Sequence, residues 1–144
     1  MKELQPGTIL QGRYRIARQV SRGGFGIVYR AWDMHLTRAV ALKQNLDNHS
    51  EAIEQFKREA EILKSLRHPN LPYVYDDFQE GNASYLVMEF IEGENLHQRI
   101  ENEGAQKIDT VIAWLTIITD AVAYLHGCTP PVIHRDIKPK NLIL

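Results

Sequence analysis

Between residues 14 and 44 the apolar side chains recur at a spacing of two, and this alternation limits the possible fold more than any other feature of the chain. "YRIARQV" sets Tyr14, Ile16 and Val20 at even positions. "FGIVYRAW" puts Phe25, Ile27 and Tyr29 on one face. "RAVALKQ" puts Val40 and Leu42 on one face, with Ala41 and Lys43 on the other. A period of two belongs to half-buried strands. Glycines at 23, 24 and 26 punctuate the join between the first two segments, so the start of the chain predicts a short antiparallel meander.

The period then lengthens. Ile53, Phe56, Ala60, Leu63 and Leu66 recur at helical spacing. Ser50 is the expected N-cap, Glu51 and Glu54 suit a helix N-terminus, and Pro69 in "RHPN" ends the helix. At about 100° per residue the apolar stripe covers an arc of roughly 140°, with Glu59 inside it. A carboxylate buried there needs a partner. The alternative is a place at the edge of the stripe, reaching water. "LPYVYDDF" and "ASYLVMEFI" predict two more strands around a turn at Glu80-Gly81-Asn82. The second is almost continuously apolar and is therefore expected to be internal.

"GENLHQRIENEG" predicts a short helix and loop. "DTVIAWLTIITDAVAYLHG" predicts a long helix, with Asp109 as N-cap and Gly127 as C-cap. It is apolar nearly all round, so burial against several neighbours is expected. Asp120 and the threonines make the stretch too short and too polar for a membrane span on this reading. The closing "PPVIHRDIKPKNLIL" is too rich in proline and charge for a helix, and reads as a loop leading into a short apolar strand. Five strands with one inserted helix, followed by helices, define an α+β plan in two parts.

Composition removes several classes of function. The 144 residues carry a formal net charge of −1 with signs mixed, so no strong attraction to nucleic acid or a membrane surface is implied. The single cysteine, Cys128, excludes an internal disulfide and suits a reducing cytoplasm, the expected location. "MKELQPGTIL" lacks the apolar run of a secretory signal. Six histidines are present, but none pairs at i, i+4 on a helix, so a zinc site is not expected. Trp32 and Trp114 read as packing residues, His68 as a brace for its turn and His134 as a support for the closing loop.

Three stretches carry chemistry. In "SRGGFG" the glycines would let backbone N–H groups approach a phosphate, although a hairpin turn needing positive φ accounts for them equally. Lys43 stands alone on an apolar strand, and Ala41 on its face leaves room for a flat ligand; an exposed strand lysine is the plainer reading. "HRDIKPKN" is far more specific. Its fixed positions, His134, Arg135, Asp136, Lys138, Pro139 and Asn141, would arise by chance in such a chain on the order of once in ten thousand. Asp136 can orient a hydroxyl and accept its proton. Lys138 can neutralise charge on a moving phosphoryl group, and Asn141 offers a neutral oxygen to Mg²⁺.

On these motifs the sequence resembles the protein kinases, of the serine/threonine type found in bacteria as well as eukaryotes. The resemblance implies a two-lobe kinase fold: an N-lobe with a five-stranded antiparallel sheet and one C-helix, and a partial helical C-lobe. The expected division is about 9–91 for N-lobe and hinge, and about 92–144 for the partial C-lobe. "RGGFGIVYRA" is similar to the glycine-rich loop over the ATP phosphates, which implicates Ser21, Gly23, Gly24, Phe25 and Gly26. Lys43 would hold the α- and β-phosphates, and Glu59 would pair with it from the C-helix. Met88 falls at the gatekeeper, and Glu89 and Ile91 where hinge backbone bonds adenine. Val20, Val28, Ala41 and Ile143 would enclose the base, with Asn95 near the ribose. Asp136 takes the catalytic-base role, Lys138 the phosphate-neutralising role and Asn141 the metal-ligand role. The implied cofactors are ATP and Mg²⁺, with Mn²⁺ as a substitute, and the implied partner is a protein bearing a Ser or Thr hydroxyl. The lysine in "RDIKPKN" favours Ser/Thr over Tyr specificity.

Two departures stand beside the resemblance. Ser21 replaces the first loop glycine, so looser phosphate binding is expected. No "DFG" occurs in the 144 residues, although its aspartate, the main Mg²⁺ ligand of the family, should follow Asn141 by roughly fifteen to twenty residues. The expectation is a fragment, inactive alone and prone to self-association through an uncovered helix at residues 109–126. A naturally short nucleotide-binding or interaction module is the alternative. The intact set of Lys43, Glu59, Asp136, Lys138 and Asn141 weighs against it.

Overall fold

A computed structural model describes residues 3–23, 26–45 and 49–144. Its strands are β1 (Ile9–Leu10), β2 (Tyr14–Gly23), β3 (Gly26–Asp33), β4 (Arg38–Asn45), β5 (Val74–Glu80) and β6 (Ala83–Glu89). Its α-helices are α1 (Ser50–Ser65), α2 (Leu96–Glu103) and α3 (Ile108–His126), and a single 3₁₀ turn covers Pro139–Asn141. The chain divides into two compact units, one of Met1–Arg67 with Pro72–Phe90 and one of His68–Leu71 with Ile91–Leu144.

The first unit is one antiparallel sheet in the order β1-β2-β3-β4-β6-β5. Among the described residues six strands are present where the sequence predicts five. The addition, β1, pairs only Ile9 with Arg15 and Leu10 with Tyr14, and two residues are too few to reveal a period. The sheet is curled: Gln11, in the turn after β1, donates its backbone N–H to Glu80 Oε2 at 2.7 Å and its side-chain amide to the carbonyl of Gln79 at 3.2 Å, at the end of β5 on the opposite edge. Tyr14 stacks on Phe78 at 5.5 Å, and Phe78 on Tyr85 at 5.0 Å.

The alternation does set the core. Leu10, Tyr14, Ile16, Ile27, Tyr29, Val40, Leu42, Tyr85 and Val87 are buried together on the inner face. Removing about 1.5–3 kcal/mol worth of side chain from water at each large position is the main favourable contribution. Two hydroxyls are satisfied inside it, since Tyr29 OH bonds Gln44 Oε1 at 3.2 Å and Gln44 Nε2 donates to Tyr85 OH at 3.3 Å. Burial raises the Tyr85 hydroxyl to about 12. Val20 is the exception to the predicted face. Register shifts between Ile16 and Arg18 and between Gln19 and Ser21 each insert a residue, and Val20 is turned out, 43 % exposed.

α1 lays Phe56, Ala60 and Leu63 on the other face of the sheet, against Val74, Leu86 and Met88. Its N-cap is His49, so Ser50 is the first helical residue and not the cap. In the second unit α2 begins at Asn95 with a reciprocal cap: Gln98 N–H donates to Asn95 Oδ1 at 2.9 Å, and Asn95 N–H to Gln98 Oε1 at 3.0 Å. α3 begins after Lys107, which places Asp109 in the first turn and not at the cap, while Gly127 is the C-cap as predicted.

α3 is uncovered, as expected for these residues, and corrects the judgement of its length and polarity. Within it only Ala121 and Leu125 are buried, while Ile112 and Leu115 are each 55 % exposed. Its 19 residues are also long and apolar enough to cross a membrane by length and composition. The threonines misled the sequence reading. Thr116 donates to the Ile112 carbonyl at 2.9 Å and Thr119 to that of Leu115 at 2.5 Å, so both hydroxyls are satisfied within the helix.

Candidate active site

In the first unit, antiparallel pairing puts Val28 beside Lys43, Ala41 beside Met88 and Lys43 beside Leu86. Pleating then sets Val28, Ala41, Lys43 and Met88 on one face of the sheet, opposite the inner core. Ala41 is buried, whereas Val28, Lys43 and Met88 are half-buried. Ser21 and Gly23 lie exposed at the end of β2. Gly24 and Phe25 fall outside the described residues. Gly26 has a backbone reason to be glycine: its φ is +139°, and a Cβ would strike the carbonyl of Gln44. This is the hairpin explanation of the glycines, met at one position by the approach of β4.

Glu59 does not meet Lys43. It is exposed on α1 and accepts a hydrogen bond from Gln55 Nε2, one turn earlier, at 3.0 Å. Among the described residues no ion pair joins it to Lys43. The edge-of-stripe alternative describes its position, because Phe56, Ala60 and Leu63 supply the buried face. Glu89 gives its backbone N–H to the carbonyl of Tyr73 at 2.7 Å, and its carboxylate accepts from the Tyr73 N–H at 3.2 Å. A base docking along this segment would have to use other backbone groups. Ile91, the next predicted contact, is 42 % exposed.

The second unit gathers the closing motif tightly. Lys138 Nζ lies 2.7 Å from Asp136 Oδ1. Asn141 Nδ2 donates to Asp136 Oδ2 at 2.9 Å and to the Asp136 carbonyl at 2.8 Å. The ammonium of Lys138, and then the Asn141 amide, hold the Asp136 carboxyl below its ordinary value. His134 accepts the Asp136 N–H through Nδ1 at 3.3 Å, and Arg135 turns the chain with φ +63°. The loop thus folds on itself around one carboxylate. Asp136 with the Asn141 amide oxygen suits a hard, oxygen-seeking cation such as Mg²⁺, which usually takes only one or two carboxylates beside water and phosphate. Among the described residues no cluster of three or more His, Cys, Asp or Glu side chains is placed to hold a metal.

Ile143 forms an isolated antiparallel bridge with Asn95, so two predicted nucleotide contacts are neighbours. The capping role of Asn95 escaped the sequence reading, although the Asn-x-x-Gln spacing announced it. His68 braces its turn as expected, accepting Asn70 N–H at Nδ1 over 3.2 Å. It also reaches α3, with Nε2 3.2 Å from Asp120 Oδ2 and its ring 5.1 Å from that of Tyr124.

Comparison with known proteins gives the family. Residues 14–144 match the protein kinase domain, and the chain belongs to that family. Among curated relatives it is 37% identical over 141 residues to the serine/threonine-protein kinase PrkC of Bacillus subtilis, covering 96% of this chain and 22% of that protein. It is likewise 37% identical over 147 residues to the probable serine/threonine-protein kinase PknB of Lactococcus lactis, covering 98% of this chain and 23% of that protein. The chain therefore spans about a fifth of the length of such relatives. The crystal structure of the Mycobacterium tuberculosis PknI kinase domain superposes with a TM-score of 0.83 at 24% identity, over 99% of this chain and 58% of that one. This likeness confirms the kinase-like fold. α3 lies within the matched domain.

Proposed function

We propose that these residues are the nucleotide-handling and catalytic-loop part of a serine/threonine protein kinase, which transfers the γ-phosphoryl group of ATP to a protein hydroxyl. The observation that carries the reading is the carboxylate of Asp136, held between Lys138 and Asn141. In this reading Asp136 orients the acceptor hydroxyl and takes its proton as the oxygen attacks phosphorus and the bond to ADP breaks. Lys138 leaves its ion pair to neutralise the transferring group. Asn141 would hold Mg²⁺, which would supply charge neutralisation at the phosphate oxygens. Lys43 binds the α- and β-phosphates, and Val20, Val28, Ala41, Met88 and Ile143 contact the base. Glu59 supports Lys43 only after it gives up Gln55, so pairing with the lysine belongs to a rearranged form of α1.

The aspartate of the family's DFG is not among the 144 residues, so transfer is proposed for the domain to which they belong, and nucleotide binding for the chain itself. We also propose a cytoplasmic site of action, consistent with the free thiol of Cys128, and self-association through the exposed side of α3. Incubating the domain with labelled ATP, Mg²⁺ and a generic Ser/Thr protein substrate tests the central claim. Label on serine or threonine that vanishes with Asp136→Asn supports it. Absence of any ATP binding by the 144-residue chain overturns it.

A further inference from the structure

We infer that the outward face of β2 and β3 docks an extended acidic segment of a partner protein, seated on Arg15, Arg18 and Trp32. Residues 11–43 hold seven of the 17 Lys and Arg side chains but one of the 18 Asp and Glu, so this stretch carries +6 and the other residues −7. The one acid, Asp33, is buried against Arg13. Arg22 pairs with Glu3, Arg30 lies over Phe90 at 5.1 Å, and Arg38 lies over Tyr75 at 3.7 Å. Lys43 belongs to the proposed nucleotide site. Arg15 and Arg18 remain. Both are exposed, and among the described residues neither is joined to an acidic side chain.

Strand pairing sets these two cations beside an aromatic ring. Ile9 is opposite Arg15 and Arg15 opposite Trp32, in one row across β1, β2 and β3, and Arg18 is opposite Arg30 in the next. Between the rows Ile16 pairs with Ala31, and both are buried on the inner side, so the two rows point outward. Trp32, which the sequence reading assigns to packing, is 42 % exposed, and Ile9 is 48 % exposed. Like charges directly opposite one another destabilise a sheet, and Arg18 and Arg30 stand in this arrangement. An anion on the face relieves it. The bulge between Ile16 and Arg18 leaves the two free arginines two strand positions apart along the face, about 6–7 Å. Alternate side chains of an extended peptide have the same repeat, so an acid-x-acid segment gives each guanidinium one carboxylate. An apolar residue two positions further along falls where Ile9 and Trp32 flank Arg15. A short peptide suits this charge pattern better than a polyanion. A nucleic acid or a bilayer extends well past two arginines and meets the remaining residues, which carry −7.

The test uses the chain with Trp114→Phe, which leaves Trp32 as its one tryptophan. The peptide Ser-Phe-Ser-Glu-Ser-Glu-Ser is titrated in while Trp32 emission is followed. A saturable shift with half-saturation at about 10–100 μM is expected, and Arg15→Glu with Arg18→Glu is expected to weaken binding about tenfold or more. The doubly reversed chain must in turn bind Ser-Phe-Ser-Lys-Ser-Lys-Ser, which also shows that it is folded. Absence of a shift in the parent, equal affinity in the reversed chain, or failure of the lysine peptide to bind that chain overturns the inference. Equal binding of Ser-Phe-Ser-Glu-Glu-Ser-Ser overturns the extended register on which it rests. An oligouridylate or phosphatidylglycerol vesicles that shift Trp32 at a lower concentration of negative charge than the peptide assign the face to a polyanion, and overturn the peptide as its occupant.

Discussion

Asp136 and Asp33 show how differently one residue type is used in this chain. Asp136 is half-exposed and shared by a lysine and an amide, an arrangement that keeps it ionised. Asp136→Asn in the active domain is expected to lower the transfer rate by about 10²–10⁴ and leave nucleotide affinity within about threefold, as measured by steady-state kinetics and calorimetry. Asp33 is 1 % exposed and pairs with Arg13 through two bonds of 2.9 and 2.7 Å, while also accepting the N–H groups of His35 and Leu36. The Arg13 hydrogen bonds bring its carboxyl down to about 2. The folded value lies below the unfolded one, so this stabilisation is complete above pH of about 4 and is lost as pH falls toward 2. Asp33→Ala is expected to cost about 3 kcal/mol in urea unfolding at neutral pH, and to flatten the acid limb of stability against pH.

At the scale of elements, the loop between α1 and β5 makes the sharpest prediction. His68 accepts from Asn70 and faces Asp120, so His68→Ala removes both bonds and the tilted ring contact with Tyr124. A loss of about 1–2 kcal/mol is expected, with amide exchange at Asn70 and in the last turns of α3 rising first. These elements also show what could be read in advance. The inner faces of β3 and β4 follow from strict alternation, since Ile27, Tyr29, Val40 and Leu42 are all buried. The outward Val20 does not, because two bulges change the parity of β2 midway and no composition signal marks them. The closing loop was legible because Asp136, Lys138 and Asn141 lie within six residues and meet by local folding. The separation of Glu59 from Lys43 was not, because it depends on how α1 is rotated against the sheet. That choice rests on packing by Phe56, Ala60 and Leu63, and it leaves Glu59 with Gln55.

For the molecule as a whole, the exposed side of α3 is the main liability. Ile108, Ile112 and Leu115, which share one face of the helix, present an apolar surface to solvent. Sedimentation of the 144-residue chain is expected to show concentration-dependent association in the micromolar range, relieved by the double change Ile112→Lys and Leu115→Glu. A monomer at all concentrations would remove α3 as an association surface. The excursion at residues 68–71 bears on how such a chain is made. Those four residues cluster with the helical unit, although α1 before them and β5 after them belong to the first unit. Asp120, the partner of His68, is synthesised 52 residues later. On the ribosome the sheet can therefore close while this loop has nothing to hold. For the same reason, excising residues 91–144 as a separate gene would leave the helical unit without a piece of itself.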